Sequence, residues 1–282
     1  MDKQFNSPSE IIEGNINGGV VKANLPLGKM ILLGIMAGAF IALGGATSST
    51  AVHSITDVGL ARTLAGAIFP VGLMMIVFVG GELFTGNCLI TMAILDKKVT
   101  VMQMVRNLVV VYLSNLVGAL IVDFLIFYSG NLDYTGGLLG AYTIKVAIAK
   151  AGITPVKAVT SGILCNVLVC MAILMAGAAK DIAGKVWAIF FPIWAFVVGG
   201  FEHCVANMFY IPAGILAATN PDYVAKAEEA YGITAAQCES LTVLQSLNNF
   251  IPVTIGNIIG GAVCVGVMYF FIHRKDWNKK AA

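Results

Sequence analysis

Six residues in two short stretches of this chain have the chemistry to handle a small charged ligand. Glu82, Thr85 and Asn87 stand in VGGELFTGN, and Glu202, His203 and Asn207 stand in VGGFEHCVAN. Together they offer acceptors, donors and one imidazole that titrates near physiological pH. Each stretch sits inside a long apolar segment, with a glycine pair where a membrane span should run unbroken. Irregular backbone at membrane depth persists only where protein or a water-filled cavity satisfies its polar groups. Two interrupted spans at matching places in two halves of a chain point to a transport site near the bilayer midplane. Ionisable side chains there cost about 2.5–3.5 kcal/mol each on insertion scales, which makes them candidates for function. For Glu82 and Glu202 a plainer role competes. A carboxylate can accept hydrogen bonds from orphan N–H groups at a half-helix start, and the equivalent positions of the two favour that support. His203 has no histidine counterpart in the first stretch. Asymmetry in a repeated frame makes it the stronger candidate for lining a path, with a core histidine held by Asn166 or Glu202 as the alternative. Thr85 reads as its rough counterpart, a hydroxyl able to donate or accept.

The elements that must position these groups are membrane spans. Hydrophobic residues make up 58% of the 282, charged residues 11%, and the mean hydropathy is +0.87. A soluble domain carries about 25% charged residues, so the lipid bilayer is the solvent here. A net charge of +2 with no basic, aromatic-interleaved stripe excludes a nucleic-acid partner. The first apolar run starts near Leu25, late and poorly shaped for a cleaved signal peptide. The six cysteines form no C-x-x-C pair and read as small buried hydrophobes, with only Cys238 expected in a loop. His53 and His273 fall near span ends and read as interfacial. No H-E-x-x-H, G-x-S-x-G or phosphate-binding loop occurs, and one histidine at this depth supplies too few ligands for a metal. No cofactor is expected.

Six spans are expected at 27–46, 63–95, 104–128, 156–179, 186–218 and 249–273. The second breaks at Gly80-Gly81 and the fifth at Gly199-Gly200. Each covers the roughly 20 apolar residues a helix needs to cross the hydrocarbon. Between them come a polar loop at 47–62, a charged turn at Asp96-Lys97-Lys98, a loop at 129–155 with a short helix near 141–151, a tight turn at 180–185 and an acidic loop at 219–248. Ser7-Pro8-Ser9-Glu10 opens a capping box, predicting a short amphipathic helix at the membrane surface that Asn24-Leu25-Pro26 ends. The chain therefore divides into an N-terminal segment 1–26, a spanning unit 27–273 and a tail 274–282. The halves echo each other in Ala67-Ile68-Phe69-Pro70 and Ala188-Ile189-Phe190-Phe191-Pro192, and in Ser114-Asn115-Leu116-Val117-Gly118 and Gly256-Asn257-Ile258-Ile259-Gly260. Spans 1 and 4 match only weakly. Three spans per half force an inverted 3+3 repeat in an all-α membrane protein. With both termini inside, only Arg62, Lys145, Lys150, Lys157 and Lys226 among the 17 basic residues fall outside, which satisfies the positive-inside rule.

The chain resembles the formate/nitrite transporter family, and within it the formate channels. The matching residues are Gly81-Glu82-Leu83-Phe84-Thr85, Gly200-Phe201-Glu202-His203 with Ala206-Asn207-Met208-Phe209, and the run from Ile251-Pro252-Val253-Thr254 to Gly260-Gly261. The resemblance implies an aquaporin-like bundle, a homopentamer with one pore per protomer, and passage of a small monovalent weak-acid anion, formate first. It implies that His203 lines the pore, faced by Thr85, with Asn166 touching the histidine region. It also implies an outer constriction of Phe69 and Phe196, an inner slit of Leu73 and Leu83, and a lysine at the outer vestibule matched by Lys150, with Lys145 and Lys157 nearby. From the residues alone, these four apolar side chains read as packing. Residues 11–22 are a candidate plug for the inner mouth. A prokaryotic plasma membrane follows from the same resemblance. Three rivals remain: a nitrite or hydrosulfide channel of the same family, a water or glycerol channel, whose paired Asn-Pro-Ala signature is missing, and an intramembrane enzyme using Glu202 and His203.

Overall fold

The computed structural model describes residues 3–274, so the expected tail lies, beyond Arg274, outside the described residues. In chain order come α1 (Pro8–Ala23), α2 (Leu27–Val52), α3 (Val58–Ile68), α4 (Val71–Val79), the single turn α5 (Phe84–Asn87) and α6 (Thr91–Leu95). Then follow α7 (Val101–Tyr128), α8 (Leu138–Ala151), α9 (Pro155–Ala178), α10 (Ile182–Gly199) and α11 (Cys204–Ala217). The last are α12 (Pro221–Tyr231), α13 (Ala235–Ser240), α14 (Val243–Ile258), a π-helical stretch Ile259–Val267, and α15 (Met268–His273). Among the described residues six stretches are long and apolar enough to cross a membrane: α2, α3 with α4, α7, α9, α10, and α14 through α15.

Both spans 2 and 5 break, as expected, but the break falls at residues 80–83 and 200–203. Gly80 at φ 95° and Gly200 at φ 68° turn the chain, a conformation that costs an L side chain about 1 kcal/mol or more. Gly199 is the last helical residue, so Gly80 pairs with Gly200 and the repeat register moves by one from the glycine-pair alignment. Shorter apolar helices, 84–95 and Cys204–Ala217, carry the chain on from each break.

Two expected loops are helical. The stretch 47–62 continues α2 to Val52, because Thr47 and Thr50 bond back to the carbonyls of Leu43 and Ala46 at 2.8 and 2.9 Å. Hydroxyls satisfied inside the helix give it no reason to unwind. The stretch 219–248 folds as α12 and α13. Asn220 caps Pro221 onward, Thr234 and Gln237 close a capping box, and Tyr223 is buried against α8. Cys238 accordingly sits buried in α13, not in a loop. Spans 3 and 6 also begin earlier than expected, at Val101 and Val243.

Backbone contact holds the repeat together. A Cβ at Gly118 would lie 1.9 Å from the Ile35 carbonyl, and one at Gly260 would lie 2.4 Å from the Ile163 carbonyl. Spans 1 and 3 thus touch as spans 4 and 6 touch, and spans 1 and 4 correspond in space although their sequences match weakly. The small-residue faces permit that approach, which lipid cannot drive by itself. α1 forms as expected and packs one face against the spanning bundle. Ile12 and Ile16 are buried, and its neighbours are α6, α7, α9, α15 and the 3₁₀ turn Cys88–Ile90.

One buried group lies outside this frame. Asp123 on α7 is 1% exposed, and neither carboxyl oxygen has a hydrogen-bond partner among the described residues. A polar group buried without a partner costs about 1–3 kcal/mol. Asp123→Leu is therefore expected to raise the thermal midpoint of the purified protein and leave transport unchanged. A lower midpoint would mean that the carboxyl is satisfied in the assembled protein.

Candidate functional site

Each break is held by one asparagine from the third span of its half. Asn115 Oδ1 accepts the Phe84 N–H at 3.0 Å, and its amide donates to the Gly34 and Glu82 carbonyls at 2.7 and 2.9 Å. Asn257 repeats this, accepting from the Cys204 N–H at 2.9 Å and donating to the Gly162 and Glu202 carbonyls at 2.8 and 3.0 Å. The Glu82 N–H donates to the Leu33 carbonyl and the Glu202 N–H to the Ser161 hydroxyl, at 3.1 and 3.0 Å. The orphan backbone groups of an interrupted helix thus find partners inside the protein.

Around each anchor runs a second ring. Lys22 donates to Glu82 at 3.0 Å, and Asn87 donates to Glu82 and to Asn107 at 2.6 and 2.8 Å. Lys150 donates to Glu202 at 2.9 Å, and Asn207 donates to Glu202 and to Asn249 at 2.6 and 2.7 Å. Asn107 and Asn249 each bond the backbone carbonyl of the lysine, Lys22 or Lys150, at 3.0 and 2.9 Å. α1 is therefore the structural counterpart of α8. The glutamates serve side chains, not the orphan N–H groups of the half-helices, so the plainer role expected of them is replaced by a Lys–Glu–Asn network. The halves differ in detail: Asn249 also donates to Glu202 at 3.2 Å, a bond that Asn107 does not make to Glu82. Lys22 also reaches the Asn87 carbonyl oxygen at 2.8 Å, whereas the buried Asn207 Oδ1 has no partner among the described residues.

Within this frame His203 is the odd residue. Its positional counterpart is Leu83, not Thr85: each is the last residue of its break, one after the glutamate. His203 caps α11, with Nδ1 accepting the Ala206 N–H at 3.0 Å. Nδ1 therefore presents its lone pair, and in the neutral ring the hydrogen is on Nε2. Nε2 lies 3.0 Å from Thr85 Oγ1, which it meets as donor, leaving the Thr85 hydrogen to point elsewhere. Asn166 does not hold the imidazole. Its amide donates to the Thr85 and Asn257 carbonyls at 3.2 and 2.6 Å, so it fixes Thr85 from behind. Nor does Glu202 hold the ring.

Two cavities approach this pair and share no lining residue. The one on the side expected to face outward, of about 790 Å³ and called the outer cavity below, is lined by Lys150, Glu202, Phe69, Phe196 and His203 among others. The one on the opposite, expected inner side, of about 560 Å³, is lined by Lys22, Glu82, Leu73 and Leu83 among others, with α1 forming part of its wall. Phe69 and Phe196 meet edge to face with centroids 5.5 Å apart, and Phe196 stacks on His203 at 5.9 Å. Of the sequence-expected residues, Lys150, Glu202, His203, Phe69 and Phe196 line the outer cavity and Leu73 and Leu83 the inner, whereas Thr85 and Asn166 line neither. Lys145 also lines the outer cavity, whereas Lys157 does not. Among the described residues no cluster of three metal-ligating side chains occurs.

Sequence reading missed Lys22, Asn107, Asn115, Asn249 and Asn257 as members of the site. A signal was present: spans 3 and 6 each carry two asparagines eight residues apart, at 107 and 115 and at 249 and 257. That spacing puts both on one helix face, where an apolar span has no use for them.

The comparisons with known proteins follow the same geometry. The family model described as "Formate/nitrite transporter" matches residues 9–271. A probable formate transporter of Methanothermobacter thermautotrophicus is 38% identical over 294 residues, covering 98% of this chain and 100% of that one. Formate channel FocA of Haemophilus influenzae is 36% identical over 271 residues, covering 94% of each. A solved structure of a "Pentameric formate channel with formate bound" superposes with a TM-score of 0.77 at 34% identity, covering 88% of this chain and 97% of that one. Two broken spans anchored alike, and likeness running through nearly the whole length, place this chain in the formate/nitrite transporter family.

Proposed function

We propose that this chain forms a homopentamer in the plasma membrane of a prokaryote, with both termini cytoplasmic and one pore per protomer through the spanning unit 27–273. The pore passes small monovalent anions of weak acids, formate first, down their gradients or with a proton. Supporting formate are the names of the relatives at 36–38% identity and the formate bound in the similar solved channel. We read the chain as a transporter and not an enzyme.

The observation that carries the reading is a pair of lysine-bearing cavities, the outer lined by His203 and the inner by Leu83 and Gly86, which flank Thr85 in the chain, with Thr85 hydrogen-bonded to His203. Lys150 and Lys22, each paired with a glutamate, still bring N–H donors to the cavity walls, and these lower the cost of bringing an anion toward an apolar wall, which is large for an unpaired charge. Phe69 with Phe196, and Leu73 with Leu83, form the two dry constrictions. An anion between them meets the Thr85 hydroxyl, whose hydrogen is not used by the imidazole. His203 acts through Thr85 by polarising it. Protonating Nδ1 would set two N–H groups against each other at the α11 cap, so the hydrogen-bond geometry favours polarisation over proton donation by the ring. Accepting a proton from the aqueous side lets the anion cross the constrictions as the neutral acid.

A flux panel in proteoliposomes tests this: formate, nitrite, hydrosulfide, acetate, lactate and water. Formate is expected to move fastest of the anions, with rates rising as pH falls. Faster nitrite or hydrosulfide would shift the substrate within the family. Water movement alone, or chemical change of an anion without its passage, would overturn the reading.

A further inference from the structure

The outer cavity holds more positive charge than the pore machinery uses. Arg62, Lys145 and Lys150 all line it. Among the described residues the one carboxylate lining it, Glu202, is already engaged by Lys150, Asn207 and Asn249. Neither Arg62 nor Lys145 has a carboxylate partner among the described residues. Arg62 makes one long hydrogen bond, to the Val198 carbonyl at 3.3 Å, and lies against Gly200, where a Cβ would meet its Nη1 at 2.4 Å. Its charge acts on the Tyr142 phenol, which burial raises and Arg62 lowers. Lys145 sits 4.2 Å over the Tyr231 ring at the end of α12. Tyr231 in turn donates to the His53 carbonyl at 3.4 Å, joining α12 to the rim of the cavity.

We propose that Arg62 and Lys145 form a separate recruiting site for a small carboxylate in the outer cavity, on the outer side of Phe69 and Phe196, with Tyr231 as its wall. The inference rests on the reading of this cavity as the outer approach for an anion. A guanidinium with most of its fork unengaged offers paired donors that fit a planar carboxylate, and an ammonium adds charge without fixing direction. Low-dielectric walls focus the field of two uncompensated cations into the cavity. The site is sequential to the Lys150–Glu202 pair and loads the pore at low outside concentration. Its binding must stay weak enough for the anion to leave inward.

The test compares wild type with Arg62→Lys, Arg62→Gln, Lys145→Gln and the Arg62→Gln/Lys145→Gln pair, and with Lys157→Gln as an off-cavity control. The anion is formate whichever anion the wild type carries fastest, so a different preferred substrate leaves the test of the site intact. Influx is measured against outside concentration, and ¹³C-formate line broadening by the solubilised protein reads binding without flux. The pair variant is expected to raise the half-saturating concentration about fivefold or more, with plateau flux retained and a shallower dependence on ionic strength. Arg62→Lys should fall between, since it keeps the charge and loses the fork. An unchanged half-saturating concentration and unchanged line broadening in the pair variant would overturn the site. A fall in plateau flux alone would do the same, because it assigns Arg62 to the scaffold.

Discussion

Asn257→Leu is expected to prevent recovery of a folded, transport-competent protein, and Asn115→Leu to do the same. Each asparagine is fully buried and spends both its oxygen and its amide on the backbone of a break. Leucine of similar volume leaves the Cys204 N–H and the Gly162 and Glu202 carbonyls without those partners. At membrane depth no water replaces them, and each unsatisfied group costs about 1–3 kcal/mol or more. Losses of about 5 kcal/mol approach the whole stability of an ordinary domain. Size-exclusion profile, thermal midpoint and flux are the measurements. Cys264→Ser, at an exposed position, serves as the neutral reference. A leucine variant that ran as wild type with an unshifted midpoint would show that the breaks are held by something other than these amides.

The extent to which the sequence predicts this site follows from where the partners sit. The breaks themselves are legible, because Gly80, Gly200, Glu82 and Glu202 interrupt apolar runs and each run is local. The echo of Ser114–Gly118 in Gly256–Gly260 is legible too, and it carries the two anchoring asparagines without revealing what they anchor. Their acceptors and donors lie 31 to 95 residues away in the chain. Lys22 is hidden for the same reason, and also because a basic residue in an amphipathic N-terminal helix already has an explanation at the membrane surface. Its bond to Glu82, 60 residues on, and the Asn107 amide on its carbonyl, 85 residues on, show α1 to be the counterpart of α8 across the pseudo-twofold frame. The helical course of 47–52 and 221–231 was obscured by composition. Hydroxyls and carboxylates there read as loop, whereas back-bonding threonines and a buried Tyr223 keep both stretches helical. Resemblance to a family supplied the four apolar constriction residues, which carry no polar signal that chemistry alone could have singled out.

His203 and Thr85 are expected to fail together. In His203→Phe the Ala206 N–H loses its acceptor and Thr85 loses the donor that leaves its hydroxyl hydrogen directed at an anion. In Thr85→Val the imidazole keeps its cap but has nothing to polarise. Both side chains are buried, so neither loss is made good by solvent. If the hydroxyl is the contact and the ring its orienting group, each single variant should lower anion flux at least about tenfold, and the double variant little further. Residues acting as one unit are grossly non-additive in this way. The pH dependence separates polarisation from proton donation. If His203 polarises, flux in Thr85→Val is low yet still rises as pH falls, because the proton reaches the anion from water and not from the ring. If His203 is the donor, Thr85→Val keeps most of the flux and His203→Phe alone removes the pH dependence. Thr85→Ser restores a hydroxyl at the same place and should recover most of the loss. Multiplicative losses in the double variant, with no rescue by serine, would put the two residues in separate roles.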